Sequence, residues 1–144
     1  MADVTVAQTP ASKDEGSITS LKMSNVKLYA GTMIGTNTAG YAVNGNDGAA
    51  DIKILGVATE TVDNSGGSAG DKSIKIKSGT FKISHAGTIT QAMVGELCTA
   101  HFNFTVNIAG NTTNDNIAGM VINYVSATEA WIKISPEMAE RINA

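Results

Sequence analysis

Residues 52–84 limit the folds open to this chain more than any other stretch. Ile52-Lys53-Ile54-Leu55-Gly56-Val57-Ala58-Thr59-Glu60-Thr61-Val62 and Lys72-Ser73-Ile74-Lys75-Ile76-Lys77-Ser78-Gly79-Thr80-Phe81-Lys82-Ile83-Ser84 are both rich in β-branched residues. Between them lies Asp63-Asn64-Ser65-Gly66-Gly67-Ser68-Ala69-Gly70-Asp71, a run suited to turns. Two such runs around a glycine-rich connection predict a long central β-hairpin. In the second run Ile74 and Ile76 share one face and Lys75 and Lys77 the other, the pattern of a sheet half in water. Each run slips phase once, at Ile54-Leu55 before Gly56 and at Ser78-Gly79 before Phe81. A glycine beside a phase slip predicts a β-bulge, which small curved or barrel-like sheets need.

At 144 residues the chain is read as one domain, large enough for a core without disulfide staples. Few aromatic residues and abundant Gly, Thr, Asn and Ala suit short strands and many turns. A formal charge of −3 argues against a nucleic-acid partner, which calls for a basic stripe with interleaved aromatics. The single cysteine, Cys98, excludes an intrachain disulfide, and no apolar run approaches the roughly 20 residues of a membrane helix. Met1-Ala2-Asp3-Val4 does not resemble a signal peptide, so synthesis in a reducing cytoplasm is expected.

Residues 1–17 are polar and aperiodic, and are read as a flexible N-terminal arm, either disordered or folding onto a partner. Residues 18–144 form the β-rich domain, a compact barrel or sandwich with one or two short helices. Val26, Leu28 and Ala30 alternate with Lys27 and Tyr29 in a first strand region, and Tyr41-Ala42-Val43 is a short strand between turns. Thr90 is placed to cap one helical turn that Gly95 ends. Leu97–Val106 reads as a strand pair or one bent strand, followed by a polar loop over residues 107–116. Ile117–Val125 and Thr128–Ser135 make the last two strands, and Ser135-Pro136-Glu137 starts a short C-terminal helix reaching Asn143.

No motif supplies a catalytic or cofactor site. Gly66–Ser73 approaches a phosphate-binding loop, but Asp71 interrupts the Gly-Lys-Ser succession and a strand follows where a helix is required. Cys98, His101 and His85 fall short of the four ligands of a closed zinc site, and no oxyanion loop or orienting acid makes them a nucleophile and base. Asn44–Gly48 and Asn114-Asp115-Asn116 lack the alternating acidic ligands of a calcium loop and read as turns. Asn103-Phe104-Thr105 and Asn111-Thr112-Thr113 match the glycosylation pattern, without an export signal to make it meaningful. A binding protein that is not an enzyme is the expectation, with no metal or cofactor.

Trp131 is the leading interface candidate. Ala130, Ile132 and Ile134 share one face of the last strand, which puts Trp131 with Glu129 and Lys133 on the polar face. Either Trp131 anchors a partner or a terminal segment of the same chain covers it. Val4, Val6 and Pro10 are the apolar residues through which the arm would reach a partner.

Lys27-Leu28-Tyr29-Ala30-Gly31-Thr32-Met33-Ile34, Gly40-Tyr41-Ala42-Val43 and Leu55-Gly56-Val57-Ala58-Thr59-Glu60-Thr61-Val62-Asp63-Asn64-Ser65-Gly66-Gly67 resemble the small proteins encoded beside major head proteins in tailed phages and prophages. Lys72–Phe81 with its Gly-x-Phe ending, and Ile89-Thr90-Gln91-Ala92 before Val94-Gly95, extend the resemblance over most of residues 26–134. It implies a capsid decoration, or cement, protein. Such a protein binds the outside of an assembled icosahedral shell, often as a homotrimer, and bridges subunits of the major capsid protein. The virion exterior is then the expected location. A tail or baseplate component is the competing reading. A carbohydrate-binding module ranks below it, since one Trp and three Tyr are few for an aromatic patch.

Overall fold

The computed structural model describes residues 2–108 and 112–136, with residues 12–16 described by their backbone alone. Half of the chain is strand, organised as a closed five-stranded barrel with additional strands. The elements are β1 (Ser12–Lys22), β2 (Lys27–Leu28), β3 (Met33–Thr36), β4 (Ala42–Asn44), β5 (Lys53–Ala58), β6 (Val62–Asp63), β7 (Ser73–His85), β8 (Leu97–Phe102), β9 (Thr105–Ile108), β10 (Ile117–Ser126) and β11 (Glu129–Ile134). β7, β9, β8, β10 and β11 close the barrel, because β11 pairs with β10 on one edge and with β7 on the other. Every pairing in that ring is antiparallel except β7–β9, where Ser84 and His85 run alongside Thr105 and Val106.

β7 belongs to two layers. Its first half pairs with β1 (Leu21 opposite Ile74, Thr19 opposite Ile76) and with β5, which continues the sheet through β3 to β4. Its second half forms the barrel wall against β11, from Gly79 opposite Ile134 to Ser84 opposite Glu129. The bulge read in β7 at Ser78-Gly79 falls instead on its partner: Glu15 to Ile18 on β1 spans three residues while Gly79 to Lys77 on β7 spans two, so the extra residue belongs to β1. Gly79 sits at φ 150, a backbone state that favours glycine. Ile74 and Ile76 in its first half and Phe81 and Ile83 in its second are buried in different cores, which is why the buried positions of β7 change parity along the strand.

Two cores result. One fills the barrel with Phe81, Ile83, Val106, Val121, Ile132 and Ile134. The other lies under β1–β7–β5–β3 with Met23, Leu28, Ile34, Ala58, Ile74 and Ile76. Adjacent residues of one strand serve different cores, Met33 the first and Ile34 the second, so β3 is buried on both faces. Each fully buried large apolar side chain contributes about 1.5–3 kcal/mol by leaving water.

Three sequence expectations need correction. The central hairpin is shorter than its sequence: β5 and β7 pair directly at Val57–Lys77 and Ala58–Ile76, and Val62–Asp63 leaves the ribbon to pair with β2 as β6. A bulge at Leu55, which β3 skips in pairing Ile34 with Gly56 and Gly35 with Ile54, turns β5 away from its partner. The turn after Thr90 is a single 3₁₀ turn, Gln91–Met93, and Thr90 makes no side-chain cap to it. Strand structure also begins at Ser12, inside the stretch read as the arm. The C-terminal helix expected from Pro136 to Asn143 falls, apart from Pro136 itself, outside the described residues.

Candidate interaction surface

The N-terminal segment reaches the barrel through polar pins rather than apolar packing. Asn103 caps the tight turn between β8 and β9 and is fully buried. Its Oδ1 accepts from the Val4 amide at 2.8 Å, and its Nδ2 donates to the Val4 carbonyl at 3.3 Å and to Asn44 Oδ1 at 3.0 Å. Asp3 accepts from the Asn103 amide at 2.8 Å and from Asn46 Nδ2 at 2.8 Å. Further along, the Gln8 amide donates to the Ala30 carbonyl at 2.6 Å. There the segment crosses Gly31, at φ 80, so closely that a Cβ would collide with the Gln8 carbonyl. Of the arm's interface candidates, Val4 is half-buried by this docking, Pro10 is half-buried over a groove with Ala30, Val57 and Lys77, and Val6 remains 62% exposed.

The same pins gather the turns tested as calcium loops. Thr113 and Asn114 donate to Asp47, through its Oδ2 at 3.1 Å and its carbonyl at 2.8 Å. Asn116 Nδ2 donates to the Asn46 and Ala49 carbonyls. His101 Nδ1 lies 3.0 Å from Asp47 Oδ2. Asp47 Oδ2 and the Asn46, Asp47 and Ala49 carbonyls are thus engaged by N–H donors, and the described residues contain no group of three or more His, Cys, Asp or Glu able to hold a metal. Cys98 faces the Gly119 carbonyl in the barrel core, where burial pushes its thiol up to about 12. His85 is buried near the end of β7; neither ring nitrogen has a hydrogen-bond partner, and burial lowers its pKa. Structure thus assigns Cys98, His101 and His85 three separate environments. In the glycine loop, Asn64 is buried and donates to the Ser24 and Ser68 carbonyls, and the loop runs into β7.

The outward side of the β10–β11 ribbon is different in kind. Glu129, Trp131 and Lys133 alternate with the buried Ala130, Ile132 and Ile134, as the sequence pattern required. Trp131 is half-buried, in register with Asn123 on β10 and Lys82 on β7. The Lys82 amide donates to the Ala11 carbonyl, so the N-terminal segment passes one strand away. Beyond Val121, β10 has no buried face: Ile122, Asn123, Tyr124 and Val125 are all exposed. Two register shifts explain this. Val121 pairs with Ile132, then Asn123 with Trp131, skipping Ile122; Tyr124 pairs with Ala130, then Ser126 with Glu129, skipping Val125. A bulge re-aims the side chain it inserts, and here both inserted residues are large and apolar. With Tyr124 they place three exposed apolar side chains, each 38–39% accessible, on one ribbon end. The sequence reading passed over this group; its only signal was the failed alternation in Val121-Ile122-Asn123-Tyr124-Val125.

No family model, no curated protein and no solved structure matches this chain.

Proposed function

We propose that this chain is a structural protein of a tailed-phage head, which binds the outer surface of the assembled shell and stabilises it by bridging subunits of the major capsid protein. The observation that carries the reading is the β10–β11 ribbon end, where Ile122, Tyr124 and Val125 stand exposed on a strand whose register sets Trp131 opposite Asn123. Aromatic and branched apolar side chains at the centre of a surface patch are the groups that anchor protein interfaces. The head-protein resemblance of residues 26–134 supplies the partner, and the rigid barrel supplies a mount that loses little entropy on docking.

The mechanism is thermodynamic. A protein that binds only the assembled shell stabilises it by mass action, and many copies each adding modest free energy make the shell hard to open. The role is non-catalytic, and association of copies into a homo-oligomer on the virion exterior belongs to the same proposal. The test adds wild type, Trp131→Ala or Tyr124→Ala to heads lacking the protein, and measures occupancy and DNA release on heating. Wild type should bind saturably and delay release, and each variant should weaken binding by about 2 kcal/mol, as central interface aromatics do. Occupancy of tails rather than heads would reject the head reading in favour of the tail or baseplate one. Unchanged occupancy by both variants would remove the ribbon from the interface.

A further inference from the structure

We propose that His85 is a proton-operated latch: protonation of its ring opens the barrel end beneath the β10–β11 turn and frees the ribbon end from the wall. Phe81, Ile83 and His85 alternate on the inward side of β7, so the ring closes the end of the barrel core. It is 4% exposed, and neither ring nitrogen has a hydrogen-bond partner. A neutral imidazole tolerates such a site at modest cost, whereas an imidazolium needs a counter-ion or water. Among the described residues no counter-ion is placed to serve it. Lys82 lies on the alternate positions of β7, Glu129 and Lys133 on the outward face of β11, and Glu96 is exposed. β9, β10, residues 86–90 and the turn at 126–128 carry no charged side chain, and His101 on β8 is taken up with Asp47. Burial is what lowers the His85 pKa, and no charged side chain contributes.

The wall is weakest where the ring would leave it. The His85 amide donates to the Thr128 carbonyl at 2.7 Å and the Ile89 amide to the Ala127 carbonyl at 3.0 Å, and these bonds tie the β10–β11 turn to the chain after β7. Beyond Val121 no residue of β10 is buried, so lifting the turn breaks these bonds and the last β7–β11 pair, Ser84–Glu129, without emptying a core. An opening that exposes so little apolar surface has a low free energy. Ile122, Tyr124 and Val125 ride on the lifted end, so one proton at His85 changes the geometry of the interaction surface. In the open form the imidazole titrates near its ordinary 6.5, and each pH unit below that favours opening by up to about ten-fold. The latch is read from the fold alone; its effect on shell binding rests on the head reading.

Amide hydrogen exchange of the purified full chain, followed by NMR between about pH 7.5 and 5 and corrected for the intrinsic pH dependence of exchange, tests the latch. Protection of the His85 and Ile89 amides should fall by up to about ten-fold per pH unit below 6.5. The Ala58 amide, bonded to the Thr32 carbonyl beside the other core, should keep its protection. His85→Leu, which cannot take up the proton, should flatten the profile of the Ile89 amide. Protection of both latch amides that does not change with pH overturns the proposal, and so does a loss shared equally by Ala58, which is global unfolding. An unchanged Ile89 slope in His85→Leu overturns it as well; the wild-type profile decides the matter if that variant fails to fold. On phage heads, occupancy by wild type should fall over the same pH range while His85→Leu stays bound. Failure to bind heads at any pH would reject the head reading and leave the amide result standing.

Discussion

Residues 2–11 and the far end of the β10–β11 ribbon both lie on the outside of the barrel, yet they are held in opposite ways. The N-terminal segment has no periodicity and buries none of its apolar residues fully, and polar groups fasten it at Asn103 and Ala30. The ribbon end is apolar, and its bulges turn those side chains into water. Hydrophobic patterning alone would have fixed the second and freed the first. Buried hydrogen bonds reverse that order, because a buried amide left unpaired costs about 1–3 kcal/mol, more than the roughly 0.8 kcal/mol gained by burying one methylene. The comparison separates what holds the molecule together from what it offers to others.

Asn103→Ala should have the largest effect. It strips partners from both Val4 backbone groups and from Asn44 Oδ1, in a site with no water access for the side chain. A loss of about 3 kcal/mol is expected in denaturant unfolding, with new protease cuts before Ser12. Intact protection of residues 2–11 in this variant would show that the segment is held elsewhere, and the contrast with the ribbon would lose its basis. Gly31→Ala ranks next. A Cβ there collides with the Gln8 carbonyl and is strained at φ 80, so about 2 kcal/mol should be lost and the Gln8 end should release while the Asp3–Val4 end stays bound. Amide hydrogen exchange resolves the two ends.

Much of the fold was legible because it is written in local periodicity. The alternation of Ile74, Ile76, Phe81 and Ile83 around a glycine marked the strand and its buried positions, while the bulge read beside Gly79 lies on β1 and the two pairs serve different cores. The outward face of Trp131 followed from the same period-two rule. What escaped was non-local. Closure of the barrel depends on the parallel register of Ser84 with Thr105, and the docking of the N-terminus depends on Asp3 and Val4 meeting Asn103 about a hundred positions away. Neither leaves a periodic trace, since a polar pin needs one correctly placed amide and no pattern around it. The exposed trio was hidden because Ile122 and Val125 read as core residues until the pairing partner shows that each is the odd residue of a bulge.

His85 offers a smaller effect confined to the ribbon side. Its amide donates to the Thr128 carbonyl, in the turn that joins β10 to β11, and its ring is buried without partners. Burial lowers its folded pKa below the ordinary 6.5, so the unfolded chain takes up the proton first. Stability is therefore flat above about pH 6.5 and falls as pH drops through 6.5 toward the lowered folded value. Urea titrations between pH 7.5 and about 5 should show this slope in wild type and a shallower one in His85→Gln. Equal slopes would assign the acid sensitivity to carboxylates instead.

Ile122→Ser and Val125→Ser should have the smallest effect on the fold and thereby give the sharpest form of the comparison. Both residues are bulge insertions with 39% of their surface already in water, and neither belongs to either core. Exposed positions away from caps, cavities and buried networks change stability by no more than about 0.5 kcal/mol. Unfolding midpoints within that margin of wild type, together with reduced occupancy on phage heads, would separate binding from folding at the ribbon. A drop of more than about 1 kcal/mol would mean that the ribbon end is packed in solution and is a stabilising element like the N-terminal segment. The bulges argue for the first result. A strand that needed Ile122 and Val125 for its own stability would pair them inward, where Val121 and Ile132 already meet.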